Sequence, residues 1–332
     1  MNGMYRLTNI VLVLGAALAA CHLDAAESEI NQVTRGGPDV SQPQSSTDNR
    51  KASYGMGCPV QVGPRKAALF CNLRIVEKGF GDYEDGGDVF VFDTLNEIGK
   101  GGPVPVTRIE KEKDSKTGEP RFILKFPPCP GFWPLGAKRP DGTAHPGAGK
   151  GFAFCQALSL PGTGGSLTAD MYKRLIRYVE VMQLAYDGKA ISVTDRALIK
   201  PGQDWVTTNG WSVFSPGLQT AIPDGDDLLL AVKASSRKEG NRTGVCRFRY
   251  SGNQWRPLFF VPVNGGAEPS VARRADGSFV FTARTFGKNS ASESIELWAA
   301  KEADGPWSSL LCSDNERGQA PVTVHATADG II

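Results

Sequence analysis

Glu268 and Arg284 are the residues whose types and spacing best fit a reactive or binding site; sixteen positions separate them, around a strand, an Asp-Gly turn and a second strand. If Ala275-Asp276-Gly277 forms a three-residue hairpin loop with Gly277 in the left-handed region, Glu268 lies across from Arg284. One face then carries Glu268, Ser270, Ala272, Val280, Thr282 and Arg284. The other carries Pro269, Val271, Arg273, Phe279, Phe281 and Ala283. A two-residue turn would shift the register by one and split the pair onto opposite faces. The three-residue loop is therefore expected, with a carboxylate and a guanidinium side by side at the hairpin mouth. A guanidinium fork suits an acidic ligand. The alternative is an exposed cross-strand ion pair, contributing less than about 1 kcal/mol.

Other groups offer less. Arg247 and Arg249 alternate with Phe248 and Tyr250 and share one strand face, either solvated or taking part in anion binding. Asp82-Tyr83-Glu84-Asp85-Gly86-Gly87-Asp88 has carboxylates on a Gly-bent backbone but not the alternate-residue spacing of a calcium loop, so a solvated turn is expected. Three histidines and no CxxC pair give no basis for a zinc or thioredoxin-type centre. No metal and no cofactor are expected.

The elements that position the pair belong to a repeat. Pro216, Pro269 and Pro321 each lead an apolar strand into Asp224-Gly225, Asp276-Gly277 or Asp329-Gly330, and these prolines are 53 and 52 residues apart. Between them Trp205, Trp255 and Trp307 follow Gly/Asp/Asn turns at intervals of 50 and 52. These tryptophans are read as structural. A period near 50 holding about four strands is that of a β-propeller blade. The fold is therefore all-β, with the strands at 216, 269 and 321 innermost. Upstream the period blurs, though AALFCNLRIV, GDVFVFDTL, PRFILKF, GFAFCQAL and YVEVMQLAYDGKAISV remain strand-like. One short helix is expected around Ala169 to Tyr178. Residues 55 to 332 have room for five blades and the start of another, whose last residues are expected as a lone inner strand.

The chain as a whole is near neutral, with 37 basic and 35 acidic side chains, which gives no electrostatic footprint for nucleic acid. At the amino terminus Arg6 precedes the apolar run Ile10 to Ala20, an export signal in order and length. Leu18-Ala19-Ala20-Cys21 resembles the bacterial lipobox, which implies cleavage after residue 20 and lipid attachment to Cys21. Ordinary cleavage nearby, before Ala26 for example, is the alternative and releases a soluble product. Residues 21–52 are polar and read as a flexible tether. The protein is expected outside the cytoplasm, at the outer membrane or cell surface through a lipid anchor only, or otherwise periplasmic or secreted. Six later cysteines, Cys58, Cys71, Cys129, Cys155, Cys246 and Cys312, either form disulfides of undetermined pairing or serve as small buried residues.

The stretch Glu268 to Arg284 resembles the part of bacterial sialidases in which a glutamate opens one strand and an arginine closes the next. Ser215-Pro216-Gly217 with Asp224-Gly225 resembles the preceding blade of that family, and Tyr250-Ser251-Gly252-Asn253-Gln254-Trp255 a shortened Asp-box. The likeness covers about residues 205–310. It implies a sialidase-type propeller of six blades in a complete protein, spanning 53–332 here with its last blade truncated. It also implies exported glycoside hydrolysis of sialic-acid-type, anionic glycans, in which arginines bind the sugar carboxylate, a glutamate assists a tyrosine nucleophile and an aspartate is acid/base. Matching positions make Glu268 the catalytic glutamate and Arg284 a substrate-binding arginine. The family's Phe-Arg-Ile-Pro motif is not found, Arg74-Ile75 being followed by Val76, and the tyrosine and third arginine would lie past residue 332. A non-catalytic propeller that binds glycan or a protein partner is the alternative; a propeller hydrolase for neutral sugars would need paired carboxylates and no arginine cluster.

Overall fold

The computed structural model describes residues 52–75, 86–93, 103–126, 128–162, 168–200, 205–217, 220–286, 293–315, 326–327 and 330–331. Among them the chain builds four antiparallel sheets of four or more strands, arranged as the blades of a propeller, and one two-stranded pair. The first sheet orders β1 (Ala52–Gly63), β2 (Lys66–Ile75), β3 (Gly86–Phe92) and β4 (Val104–Arg108) from one edge to the other. The second holds β5 (Glu110–Lys113), β6 (Pro120–Lys125), β7 (Cys129–Phe132) and β8 (Lys150–Pro161), and, after a helix α1 (Ala169–Lys173), β9 (Ile176–Tyr186) and β10 (Ile191–Ile199). The third holds β11 (Ser212–Pro216), β12 (Ile222–Asp224), β13 (Asp227–Ser236), β14 (Gly240–Ser251) and β15 (Gln254–Asn264). The fourth orders β16 (Ala267–Arg273), β17 (Phe279–Phe286), β18 (Glu293–Ala300) and β19 (Ser308–Asn315).

The inner strands run in one direction. Cys129 at the start of β7 lies beside Cys58 in mid-β1, Leu135 N just past β7 donates to Val62 O at 2.7 Å near the end of β1, and Thr220 Oγ1, between the third sheet's inner segments, donates to the carbonyl of Pro59. Cys129 Sγ donates to Gly217 O at 2.7 Å and Ala221 N to Pro130 O at 3.0 Å, aligning β7 with β11 and β12. Arg273 reaches Pro223 O and Asp224, aligning β16 with the same pair. In sheets two and three the inner strand is broken, as β6/β7 and β11/β12. The break in sheet two falls at Pro127-Pro128, where there is no N–H to donate to the ladder. The break in sheet three follows Pro216-Gly217, and a Cβ on Gly217 would lie 2.7 Å from Ala231 O and closer still to Pro269 O. Only glycine lets three backbones meet there.

Strands buried on both faces read as unbroken apolar runs. In β8, Phe152 and Phe154 face sheet three while Ala153 and Cys155 face sheet one. In β13, Leu228, Leu230 and Val232 face sheet two while Leu229 and Ala231 face sheet four. Phe152, Phe154, Trp205, Phe248 and Trp255 join in one cluster with ring centroids 4.9–5.5 Å apart. Burying each such ring contributes about 1.5–3 kcal/mol. Trp205 and Trp255 are thus core residues, and Trp307 packs edge-on against Phe281 at 5.9 Å. The cysteines Cys58, Cys71, Cys129, Cys155 and Cys246 are all buried, in keeping with the small-residue reading; the side chain of Cys312 lies outside the described residues.

Three expectations are revised. Five blades and the start of another are expected between residues 55 and 332; among the described residues four blade sheets and one two-stranded pair form, the second sheet alone running from Glu110 to Ile199. The last residues are not a lone strand, since β20 (Ala326–Thr327) pairs antiparallel with β21 (Gly330–Ile331). The helix is shorter than expected. Thr168 caps it by accepting from Met171 N, and the β-rich run from Ile176 joins β8 instead. The signal segment, the tether with Cys21, the strand expected at Pro321 and most of the Asp82–Asp88 loop lie outside the described residues.

Candidate functional site

The hairpin β16–β17 closes as its sequence requires. Arg274 N donates to Ser278 O at 2.7 Å around Ala275-Asp276-Gly277, and Gly277 has φ +86°. Asp276 Oδ1 accepts from Ser278 Oγ at 2.5 Å and from Ser278 N at 2.9 Å, which stabilises the loop and holds its carboxyl below the ordinary range. From that loop the register runs Arg273 to Phe279, Val271 to Phe281 and Ser270 to Thr282. It then slips. Ala267, not Glu268, faces Arg284, because β16 carries one more residue than β17 between these pairs.

Glu268 is the residue in the bulge, with φ +51°. A left-handed backbone at a glutamate is uncommon and costs on the order of 1 kcal/mol or more. The bulge nevertheless brings the side chains together: Glu268 Oε2 lies 3.1 Å from Arg284 Nη2, with Arg284 14% and Glu268 33% exposed. The expected pair forms by a different backbone route. Gly266 makes that route possible, since a Cβ there would stand 2.5 Å from Arg284 O.

Two cations absent from the sequence reading share this place. Lys233, near the end of β13, is on the strand face that sends Leu229 and Ala231 against β16. Burial pushes its amine below the ordinary lysine range; Glu268 opposes that, and Arg177 and Arg284 add to it. Arg177 lies at the start of β9, opposite Leu158 near the end of β8, and is exposed. Inner strands begin at Pro120, Ser212 and Ala267, so Arg177, Lys233, Glu268 and Arg284 all lie at the end of the propeller where those strands start. Trp255 and Trp307 follow the β14–β15 and β18–β19 turns at the other end. The signal in sequence was one lysine interrupting LLLAVKASS, and strand order alone could not say which blade it faced.

Other charged groups are tied to one another. Arg247 Nη1 lies 2.8 Å from Asp224 Oδ2, Arg249 Nε lies 2.6 Å from Asp227 Oδ1, and Arg273 also pairs with Asp224. This ladder sits at the tryptophan end and is remote from Glu268. Between sheets one and two, Lys125 and Glu180 are fully buried 3.1 Å apart, with Arg196 Nη1 at 3.4 Å from Glu180 and Thr107 Oγ1 donating to its other oxygen at 2.6 Å. That seam is structural.

Among solved structures, the intramolecular trans-sialidase of leech, in complex with 2,7-anhydro-Neu5Ac, matches 86% of this chain at 11% identity and TM-score 0.50. The likeness is one of fold, an all-β propeller. A Hadza microbial sialidase matches 78% of the chain at 13% identity and TM-score 0.45, and a family 117 glycoside hydrolase of Zobellia galactanivorans 79% at 10% and 0.44. The match covers 55% of the leech chain, 46% of the Hadza chain and 70% of the Zobellia chain. No protein-family model and no curated protein matches the sequence.

Proposed function

We propose that the protein is an exported, sialidase-like glycoside hydrolase acting on anionic glycans, with Glu268 as a catalytic residue that activates the nucleophile and Arg284 as a substrate-binding residue. One observation carries the reading: Glu268 and Arg284 pair at 3.1 Å at the end of the propeller where the inner strands start, and Lys233 lies within electrostatic reach of both and of Arg177. That excess of positive charge in a half-buried setting favours an acidic ligand over a neutral sugar. The strained Glu268 backbone supports a functional role, because strain of this kind persists where surrounding structure over-determines it. The fold match to a sialidase-type propeller agrees with this reading.

Hydrolysis of a fluorogenic N-acetylneuraminide and of a neutral galactoside by the full-length gene product tests it. Arg284→Lys keeps the charge but loses the fork. It is expected to lower kcat/KM for the sialoside at least tenfold and to leave the galactoside unchanged. Wild-type protein that binds N-acetylneuraminic acid but hydrolyses no sialoside would make the protein a glycan-binding propeller instead.

Export and anchoring belong to the same proposal. Cys21→Ala removes the acceptor thiol, so the protein is expected to leave the membrane fraction. Wild-type protein found wholly in the soluble periplasmic or secreted fraction would reject the anchor and leave the propeller's activity untouched.

A further inference from the structure

Arg284 does not meet an acidic ligand alone, because its guanidinium also faces Glu268 Oε2 at 3.1 Å. That pair adds no net charge to the site. Among the described residues, no hydrogen bond or ion pair joins Lys233 or Arg177 to a partner, whereas Arg247, Arg249 and Arg273 are each bound to aspartates.

The placement of Lys233 follows from the backbone. β13 and β16 close on Gly217, which leaves no room for a Cβ between Ala231 O and Pro269 O. Two residues on from Ala231, on the same face, is Lys233; one residue before Pro269 is Glu268. Lys233 and Glu268 thus lie on the same side of the Gly217 contact, on facing strands of the two blades. Arg177 approaches from β9, whose side chains Val179 and Val181 pack toward sheet three. Arg177, Glu268 and Arg284 are the charged groups acting on the amine.

We propose that Lys233 recognises the carboxylate of an acidic sugar alongside Arg284, which also holds Glu268 in its bulge. This rests on the anionic-glycan reading and adds to it the residue that determines specificity. A lysine in that place makes recognition pH-dependent in a way an arginine would not. Burial depresses the amine, so the charge that attracts the carboxylate is lost, as pH rises, earlier than on an ordinary lysine.

Titration calorimetry of the full chain with N-acetylneuraminic acid and with its methyl ester, between pH 6 and about 10, tests this by comparing charged and uncharged forms of one sugar. Wild-type affinity for the acid is expected to fall as pH rises, with no such trend for the ester. Lys233→Gln should weaken the acid at least tenfold and leave the ester alone. Lys233→Arg should restore binding and flatten the pH profile, a result that a purely structural role would not produce. If Lys233→Gln binds the acid like wild type, or loses acid and ester equally, the assignment of Lys233 is overturned and the anionic-glycan reading stands. If wild type binds the acid at no pH, both are overturned.

Discussion

Glu268 Oε2 lies 3.1 Å from Arg284 Nη2 although the residue opposite Arg284 in the ladder is Ala267. The contact is made by a bulge that places Glu268 at φ +51°, so backbone strain and side-chain position are coupled at this one residue.

That coupling separates two substitutions. Glu268→Ala removes the carboxylate and keeps the left-handed strain; Glu268→Gly removes both. The glycine variant is expected to be more stable than the alanine variant by about 1 kcal/mol, after the entropy glycine restores to the unfolded chain is subtracted. Urea denaturation of the two proteins measures it. Equal stability would mean that the bulge is not strained.

Much of this hairpin was legible in the sequence and part of it was not. Asp276-Gly277 and the alternation of Val271, Phe279 and Phe281 are local signals, and they fixed the loop and the lower register. The bulge depends on Gly266 passing under Arg284 O, a contact between strands that no local pattern encodes. The same limit applies to blade number. The tryptophan and proline series located sheets three and four, whereas β5, the Trp133–Gly149 connection and α1 enlarge sheet two and hide its period. Lys233 was missed because it comes within electrostatic reach of Glu268 from another blade.

The buried seam between sheets one and two makes a stability prediction. Glu180 is fully buried between Lys125, Arg196 and Thr107, so Glu180→Gln leaves Lys125 with only the half-exposed Glu110, 3.2 Å away. Breaking one side of a buried charge pair costs about 3–5 kcal/mol. Denaturant midpoints should fall accordingly, and a loss below 1 kcal/mol would show that water reaches the seam.

His145 supplies a pH dependence at the tryptophan end. Its ring stacks on Trp133 at 3.9 Å, Gly147 N donates to Nδ1 at 3.0 Å, and Nε2 lies 3.2 Å from Asp226 Oδ1, which Arg139 also holds. Burial lowers the histidine pKa; Asp226 works against that and Arg139 with it. The unfolded chain therefore binds this proton more readily than the folded one. Stability contributed by neutral His145 is present above the ordinary histidine range near pH 6.5 and is lost on acidification toward the lower folded pKa. Replacing it, His145→Gln, is expected to flatten the stability profile between about pH 7 and 5. An unchanged slope would assign the acid sensitivity to other groups.

Gly217 gives the sharpest test of how the blades meet. Its Cα lies where β11 ends between β13 and β16, and a methyl group there would press on the carbonyls of Ala231 and Pro269, both backbone atoms that cannot rotate away. Gly217→Ala is expected to cost about 1–3 kcal/mol, the range for overpacked cores. Relief would have to come from moving β16 away from β13, which also moves Glu268 away from Lys233. The variant should therefore lose affinity for N-acetylneuraminic acid under conditions where circular dichroism still reports a folded, all-β protein. Full affinity in a destabilised Gly217→Ala protein would show that the two blades do not share one site.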